Sequence, residues 1–104
     1  MTDRELYSGL IHLHLLHHAA EGPIYGLSMI EELAGHGYKL SAGTLYPILH
    51  RLEKKGYLRS TDHRLGRTAR RMYRITPSGR RALEDAKSKV QELFGEMFEG
   101  GGGS

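Results

Sequence analysis

One helix followed directly by two short strands is the order that residues 41–76 predict, and this order limits the fold more than any other feature. Apolar side chains recur at steps of three and four over residues 45–52, which indicates a helix that buries one face. Gly56 ends this helix after two lysines. Side chains then alternate over residues 57–61 and 70–76. We therefore predict one amphipathic helix and a hairpin with an exposed loop between its strands.

Three further helices are predicted around this unit. The first begins at Thr2 or Asp3 and runs to about Ala20, and the second follows Pro23. The last begins at Pro77 or Ser78 and repeats apolar residues at alternating steps of three and four, which is a heptad seam. The chain is therefore expected to consist of four helices and one hairpin.

The first helix is apolar on two sides. One stripe consists of Leu6, Leu10, Leu13 and Leu16. The other consists of Tyr7, Ile11, His14 and His18. Because a helix that is apolar on two sides is buried on two sides, we predict that one stripe contacts the core and the other contacts a second subunit.

Three helices, a turn rich in small residues and a two-stranded basic hairpin together predict a winged helix-turn-helix, which is an α+β and mostly α fold. We assign residues 1–77 to this domain and residues 78–99 to a C-terminal dimerisation helix. The first helix is expected to contribute to the dimer interface as well. The glycine-rich residues 100–104 are predicted to be a disordered tail.

The hairpin region is strongly basic. Residues 59–81 contain eight arginines and no lysine against one acid, Asp62. Residues 82–99 reverse this balance, with two lysines against five acids. Because planar guanidinium groups match phosphate oxygens and guanine edges, the pattern favours nucleic acid as a partner. A solvated charged face without a partner is the alternative.

The outward face of the helix that follows Ser41 is the candidate DNA-reading surface. Small residues at its start let the backbone approach phosphates and base edges closely. The candidate contacts are Ser41, Gly43, Thr44, Tyr46, His50, Arg51 and Lys54. An ordinary amphipathic helix with polar groups in solvent is the alternative interpretation.

Three segments resemble one known family. The sequence Ser-Ala-Gly-Thr-Leu-Tyr-Pro-Ile-Leu-His-Arg-Leu-Glu-Lys-Lys-Gly-Tyr-Leu at residues 41–58 closely resembles the recognition-helix signature of the PadR-like transcriptional regulators. Glu-Gly-Pro-Ile-Tyr-Gly at residues 21–26 resembles that family's turn into the second helix. Arg-Arg-Met-Tyr-Arg-Ile-Thr-Pro-Ser-Gly-Arg at residues 70–80 resembles its second wing strand and the start of its last helix. The resemblance covers about residues 5–83.

The resemblance implies a homodimeric regulator, usually a repressor, that binds a palindromic operator and is released by a ligand. It implies that the recognition helix faces DNA with Ser41, Thr44, Tyr46 and Arg51. It implies that the wing contacts the minor groove or backbone through Arg64, Arg67 and Arg70. The wing departs from the family pattern, because residues 66–69 lack the usual proline and Met72 replaces an aromatic residue. The single C-terminal helix is similar to the compact members of the family.

An apolar seam on the last helix supports dimerisation independently of the resemblance. On a monomer this small, such a seam would promote aggregation if no partner covered it. The predicted interface residues are Tyr7, Ile11, Leu83, Ala86, Val90, Leu93, Phe94 and Met97. A helix packed only on its own subunit is the alternative. Small PadR-like regulators often bind planar aromatic ligands between subunits, and the candidate lining residues are Tyr7, Ile11, Phe94 and Phe98.

Four of the seven histidines lie in the first helix, at positions 12, 14, 17 and 18. His14 and His18 share a face and could bind one borderline metal ion such as zinc, copper or nickel. Glu21, a residue of the second subunit or water would have to complete the site. Histidines that line an interface without a metal are the alternative. His17 is expected in the core, and His36 is assigned no ligand role.

These features predict a homodimeric, sequence-specific regulator of transcription that binds double-stranded DNA and acts as a repressor released by a small ligand or metal ion. The alternative is a nucleic-acid-binding or protein-interaction module without operator specificity. We predict no enzyme and no required cofactor, because the sequence has no cysteine, no phosphate-binding glycine loop and no His-Glu-x-x-His motif. The absence of cysteine fits a cytoplasmic protein, and no stretch is apolar enough to predict a membrane partner.

Overall fold

The computed structural model describes residues 3–100 and folds them into four helices and a three-stranded antiparallel sheet. The elements in chain order are α1 (Arg4–Glu21), β1 (Ile24–Tyr25), α2 (Gly26–Gly35), α3 (Ala42–Lys54), β2 (Leu58–Leu65), β3 (Thr68–Ile75) and α4 (Pro77–Phe98). This order confirms the predicted α+β, mostly α fold of a winged helix-turn-helix followed by one long helix. Residues 101–104 of the predicted disordered tail lie outside the described residues.

Side-chain caps begin the two longest helices. The Asp3 carboxylate accepts a 3.0 Å hydrogen bond from the Leu6 amide at the start of α1. Thr76 Oγ1 accepts a 3.0 Å hydrogen bond from the Gly79 amide at the start of α4. The same hydroxyl donates to the carbonyl oxygen of Gly56, directly after α3. Thr76 therefore caps α4 and also fixes its first turn against the end of the α3 segment.

The wing is a longer hairpin than the sequence predicts. Strands β2 and β3 pair from Leu58↔Ile75 to Leu65↔Thr68, so the loop contains two residues instead of the predicted eight-residue segment 62–69. Gly66 has φ 62° at the first loop position, where two-residue hairpins require a left-handed residue. The prediction of a long loop was wrong. The outer parts of both strands project into solvent, so they carry polar and charged side chains and lack the alternation of apolar and polar residues that indicates a strand.

A short strand precedes α2 where the sequence predicts the beginning of that helix. Ile24 pairs with Tyr73 and Tyr25 pairs with Met72, which places β1 beside β3 and gives the sheet order β1-β3-β2. Helix α2 consequently begins at Gly26 rather than at Pro23. The pairing joins residues that are far apart in sequence, so local periodicity does not reveal it.

The core lies between α1, α3 and the sheet. The predicted stripe of α3 is confirmed, because its four apolar residues are all buried, namely Leu45, Ile48, Leu49 and Leu52. Helix α1 adds Ile11, Leu15, Leu16 and Ala19. Tyr73 of β3 is fully buried, and its hydroxyl has no hydrogen-bond partner among residues 3–100. Burial raises the pKa of Tyr73, so the hydroxyl stays neutral.

The face of α1 that is buried in the core includes a residue that was predicted to lie on the dimer interface. Ile11 is 2% exposed, so the prediction that it lies on a dimer interface was wrong. Leu6 and Leu10 are instead 69% and 44% exposed. The buried face lies between the two predicted stripes, because it combines Ile11 of one stripe with Leu16 of the other and adds Leu15 and Ala19. The exposed leucines of α1 are therefore Leu6 and Leu10.

Helix α4 packs against α1. The buried residues of α4, Gly79 and Leu83, lie in its first half, and residues 87–94 are all exposed. The protein measures 59 × 34 × 20 Å. Among the described helices, none combines the length and apolar character that crossing a membrane requires.

Candidate nucleic-acid interface

The outer face of α3 is open to solvent. Its exposed predicted contacts are Ser41, Gly43, His50, Arg51 and Lys54. Thr44 is half-buried, and its Oγ1 accepts a 3.4 Å hydrogen bond from the Ser41 hydroxyl. In the described part of the chain, no side chain caps the first backbone amides of α3. These amides therefore point outward with the positive end of the helix dipole, an arrangement suited to phosphate.

Gly43 leaves open space beside the start of α3. A Cβ atom at this position would meet only Ser41 Oγ, at 3.7 Å, among the described atoms within 4 Å. The protein's own packing therefore gives no reason for a glycine here. The missing side chain instead lets a ligand approach the backbone closely from outside.

Tyr46 is the predicted DNA contact that the structure places differently. Its ring is half-buried and lies on Gly26 at the start of α2, where a Cβ atom would overlap the ring. The ring therefore leans on α2 and does not project freely, and its contact with DNA stays a prediction. Because an aromatic ring can turn sideways from the outer face, Tyr46 reaches α2 and fixes its distance from α3.

Four exposed arginines lie on the wing without a close acidic partner among the described ion pairs. They are Arg59, Arg64, Arg67 and Arg74. Arg59 and Arg74 occupy directly opposed positions of β2 and β3, so their side chains leave the same face of the sheet. Like charges in such positions repel each other. An anion bound at this face would relieve the repulsion. The local sequence pattern does not indicate this pair, because only the strand register brings the two arginines opposite each other.

Arg70 and Arg71 are held by neighbouring side chains. The Arg70 guanidinium lies 4.5 Å above the ring of Tyr25, whose hydroxyl lies 2.7 Å from His63 Nδ1. Arg71 lies on the opposite face, 3.6 Å from Asp62, and donates to Ser60 Oγ at 3.2 Å. Arg70 and Arg71 are therefore both exposed cations with fixed orientations, and Arg71 has an acidic neighbour in Asp62.

A hydrogen-bond network fixes the wing to α3. Glu53 Oε2 accepts hydrogen bonds from the Ser60 amide at 3.2 Å and from the Ser60 hydroxyl at 2.6 Å. Ser60 Oγ in turn accepts from Arg71. The last turn of α3 and strand β2 consequently hold one relative orientation, which lets the outer helix face and the wing act on one ligand.

The helix and wing described above fall within the match to a known family. The model of the transcriptional regulator PadR-like family matches residues 15–85. This chain belongs to the PadR-like family. The match runs from the middle of α1 into α4 and includes the whole helix-turn-helix and wing. Members of the family are transcriptional regulators and not enzymes, which confirms the prediction that this PadR-like protein is no enzyme.

Individual relatives extend the match over nearly the whole chain. A transcriptional regulator of Mycobacterium tuberculosis is 45% identical over 97 residues, covering 93% of this chain and 91% of the relative. The crystal structure of a PadR family regulator from Eggerthella lenta has a TM-score of 0.77 and 36% identity, covering 86% of this chain and 79% of that one. Bacillus subtilis PadR, solved in complex with operator DNA, has a TM-score of 0.64 and 22% identity, covering 73% of this chain and 45% of its own.

The α4 helix of this PadR-like protein carries a large exposed apolar surface. Val90, Leu93, Phe94 and Met97 are 45%, 49%, 52% and 63% exposed. Four of the predicted interface residues are therefore open to a partner. Leu83 is buried in the protomer's own core, which corrects its assignment to the interface. Ala86 is half-buried on the same helix.

Helices α1 and α4 border a groove of about 730 Å³. Its apolar lining comes from Leu10, Leu13, Leu83, Val90 and Phe94. Only Phe94 of the predicted aromatic-effector residues lies there, because Ile11 is in the core, Tyr7 packs on Tyr38 at a ring distance of 6.0 Å, and Phe98 packs on Phe94 at 5.1 Å. The apolar part of the groove is therefore mainly aliphatic, and polar side chains complete its lining, namely His14, His17, Glu84, Lys87, Ser88 and Gln91.

The structure adds a third histidine to the predicted pair in α1. The rings of His14 and His18 lie 6.3 Å apart, and His36 stacks on His14 at 4.8 Å from the end of α2. Burial lowers the pKa of His14, and the neighbouring histidines lower it further, so its ring is neutral near pH 7. His17 is exposed, which corrects its assignment to the core. Sequence spacing could not connect His36 with His14, because only the turn of the chain between α1 and α2 brings them together.

Proposed function

We propose that this protein is a sequence-specific regulator that binds double-stranded DNA with α3 in the major groove. The observation that supports this most is the uncapped, open first turn of α3 beside a wing fixed to it through Glu53 and Ser60. Bacillus subtilis PadR, which shares the fold, has been solved with operator DNA. Membership of a family of transcriptional regulators supports the same proposal.

In this proposal the two parts of the surface have different tasks. Thr44, His50, Arg51 and Lys54 would contact base edges and phosphates from α3, while Ser41 and Gly43 would let the helix backbone approach a phosphate. The exposed wing arginines would neutralise the neighbouring backbone or enter the minor groove. The predicted wing contacts are Arg64, Arg67 and Arg70, to which Arg59 and Arg74 are added here.

We further propose that the protein acts as a homodimer on a palindromic operator. The exposed apolar residues of α4 and of α1 offer a surface suited to a second copy, namely Val90, Leu93, Phe94 and Met97 with Leu6 and Leu10. Leu10, Val90 and Phe94 border the same groove. Two-fold symmetry would present two α3 helices about 34 Å apart, one turn of DNA. Each helix would then read one half-site.

Repression with release by an effector completes the proposal. A dimer bound across an operator would block access to the promoter, in keeping with the repressor role that the family resemblance implies. Two places offer room for an effector, namely the groove between α1 and α4 and the histidine cluster. Both lie at the contacts of α1, so a ligand in either would change how the DNA-reading domain is held relative to α4.

A competition experiment distinguishes the proposed regulator from the alternative, a module that coats nucleic acid without operator specificity. We expect the protein to stay bound to the DNA upstream of its own gene when random duplex is added in excess. Specific binding by such regulators is roughly 10³–10⁷ tighter than non-specific binding. Arg51→Ala should reduce the affinity for that DNA about tenfold, whereas Lys89→Ala, on α4, should leave it unchanged. Fluorescence anisotropy measures both. Equal affinity for all duplexes would favour the coating module.

A further inference from the structure

A cluster of three histidines lies where α1 meets the end of α2, and neither the DNA surface nor the apolar surface of α4 uses it. His14 and His18 come from consecutive turns of α1, and His36 follows the last turn of α2. We propose that His14, His18 and His36 form a binding site for one borderline divalent metal ion of the zinc class.

The geometry of the three rings supports the site. One ring nitrogen from each histidine lies within 4.8 Å of the other two. Zinc–nitrogen bonds of about 2.0–2.1 Å in a tetrahedral site place the nitrogens roughly 3.4 Å from one another. Rotation of the three rings would have to bring the nitrogens closer by up to about 1.4 Å and turn them toward a common point.

Glu32 supplies the next group toward a complete coordination shell. Its Oε2 lies 3.0 Å from His36 Nε2 and 3.6 Å from His18 Nε2. This carboxylate can either become the fourth ligand or orient the two rings from outside, both of which are usual around zinc. Glu32 is one turn before His36 on the same segment, so folding of α2 alone brings them together.

The donor atoms determine the class of ion. Three imidazole nitrogens and one carboxylate suit zinc, copper or nickel, whereas magnesium and calcium prefer shells of oxygen. The chain contains no cysteine, so a soft thiolate site of the kind that selects copper(I) is excluded here. We propose zinc, because three histidine nitrogens and one further ligand, either Glu32 or a water molecule, make up the four-coordinate shell that zinc prefers.

A neighbouring group, His17 with His18 and Glu21, competes for one of the same ligands. His18 Nδ1 lies 3.6 Å from Glu21, and His17 Nε2 lies 3.5 Å from the same carboxylate. This group comes from a single helix, offers two nitrogens, and has two exposed members. The first cluster has three nitrogens from two helices and two half-buried members, so it should bind more tightly.

An ion in the first cluster would join α1 to the end of α2. Helix α2 contacts α3 through Gly26 and Tyr46, and His14 also lines the groove between α1 and α4. The ion would thus act between the DNA-reading helix and the apolar surface. This regulatory consequence rests on the proposed function and gives its effector a chemical class, whereas the metal site itself stands without it.

Two matched variants test the site in the full-length protein without DNA. His36→Gln and His17→Gln each replace an exposed histidine that contacts a glutamate. Cobalt(II) is titrated first, because its visible absorption reports tetrahedral coordination, and zinc then displaces it. We expect one ion per protomer, at least about tenfold weaker binding in His36→Gln, and a change within about twofold in His17→Gln.

Three results would overturn the metal site. They are no saturable binding by the unaltered protein, unchanged binding in His36→Gln, or loss of binding in His17→Gln alone. Operator binding is measured separately by anisotropy on the same protein without metal. Failure there, with metal binding intact, would count against the proposed function and not against the metal site.

Discussion

Leu93→Glu is expected to convert the dimer to a monomer and to weaken binding to the operator by roughly a hundredfold. Leu93 is about half-exposed on α4, beside Val90, Phe94 and Met97. Fully burying an exposed side chain of this size contributes about 1.5–3 kcal/mol, so covering the exposed half of Leu93 contributes about half of that. A two-fold interface loses this contribution twice, or about 1.5–3 kcal/mol in total. Each monomer would then bind one half-site without the additional affinity that the second half-site provides.

Gln91→Glu is the matched control for this substitution. It introduces the same carboxylate into the same helix at an exposed position that is already polar. Sedimentation velocity should show a dimer for the control and a monomer for Leu93→Glu at the same concentration. A dimer that persists in Leu93→Glu would show that α4 does not form the interface.

Gly79→Ala is expected to lower the free energy of unfolding by about 2–3 kcal/mol, in the range of overpacked cores. Gly79 is buried in the first turn of α4, and a Cβ atom there would overlap the backbone carbonyl of Tyr57 and press on Ile75 Cγ1. Backbone cannot turn away as a side chain can. Either α4 must move from the sheet or the cap at Thr76 must break.

Gly95→Ala makes the same substitution in the same helix without a clash. Its Cβ atom would meet only Glu99 Oε1 at 3.7 Å among the described atoms within 4 Å. We expect this variant to be as stable as the unaltered protein or more stable by up to about 1 kcal/mol, because alanine favours helix over glycine. Equal denaturation midpoints for both variants in urea would contradict the tight packing of α4 on the sheet.

Local patterns in the sequence predicted the parts of the fold that local interactions determine. The buried stripe from Leu45 to Leu52 alternates at helical spacing with polar residues, so one face of α3 had to turn inward. The exposed residues of α4 were also predicted, because a heptad seam on a helix at the edge of a small domain has too little core to cover it. Both features follow from one periodicity on one element.

Features that join distant segments were not predicted. Strand β1 exists because Ile24 pairs with Tyr73, and the histidine cluster exists because α2 returns His36 to α1. Ile11 was assigned to the interface although it is buried, because the core face of α1 lies between the two stripes that the periodicity indicates. The contact between the Tyr46 ring and Gly26 was also missed, because helical position does not reveal which way a ring leans.

Two contacts give the DNA-reading surface a fixed geometry. Glu53 and Ser60 join α3 to the wing, and Thr76 joins the start of α4 to Gly56 at the end of the α3 segment. The spacing between two α3 helices in a dimer would consequently be set by α4, which is the element that carries the exposed apolar surface. This mechanical connection is what the proposed function requires.

Hydroxyl-radical footprinting of the full-length protein on the DNA upstream of its own gene tests the central proposal most directly. We expect two protected patches of equal extent, related by two-fold symmetry and centred about 10–10.5 base pairs apart, because each α3 of a dimer reads one half-site. A single patch, or even protection along the whole duplex, would contradict a dimer that reads a palindrome.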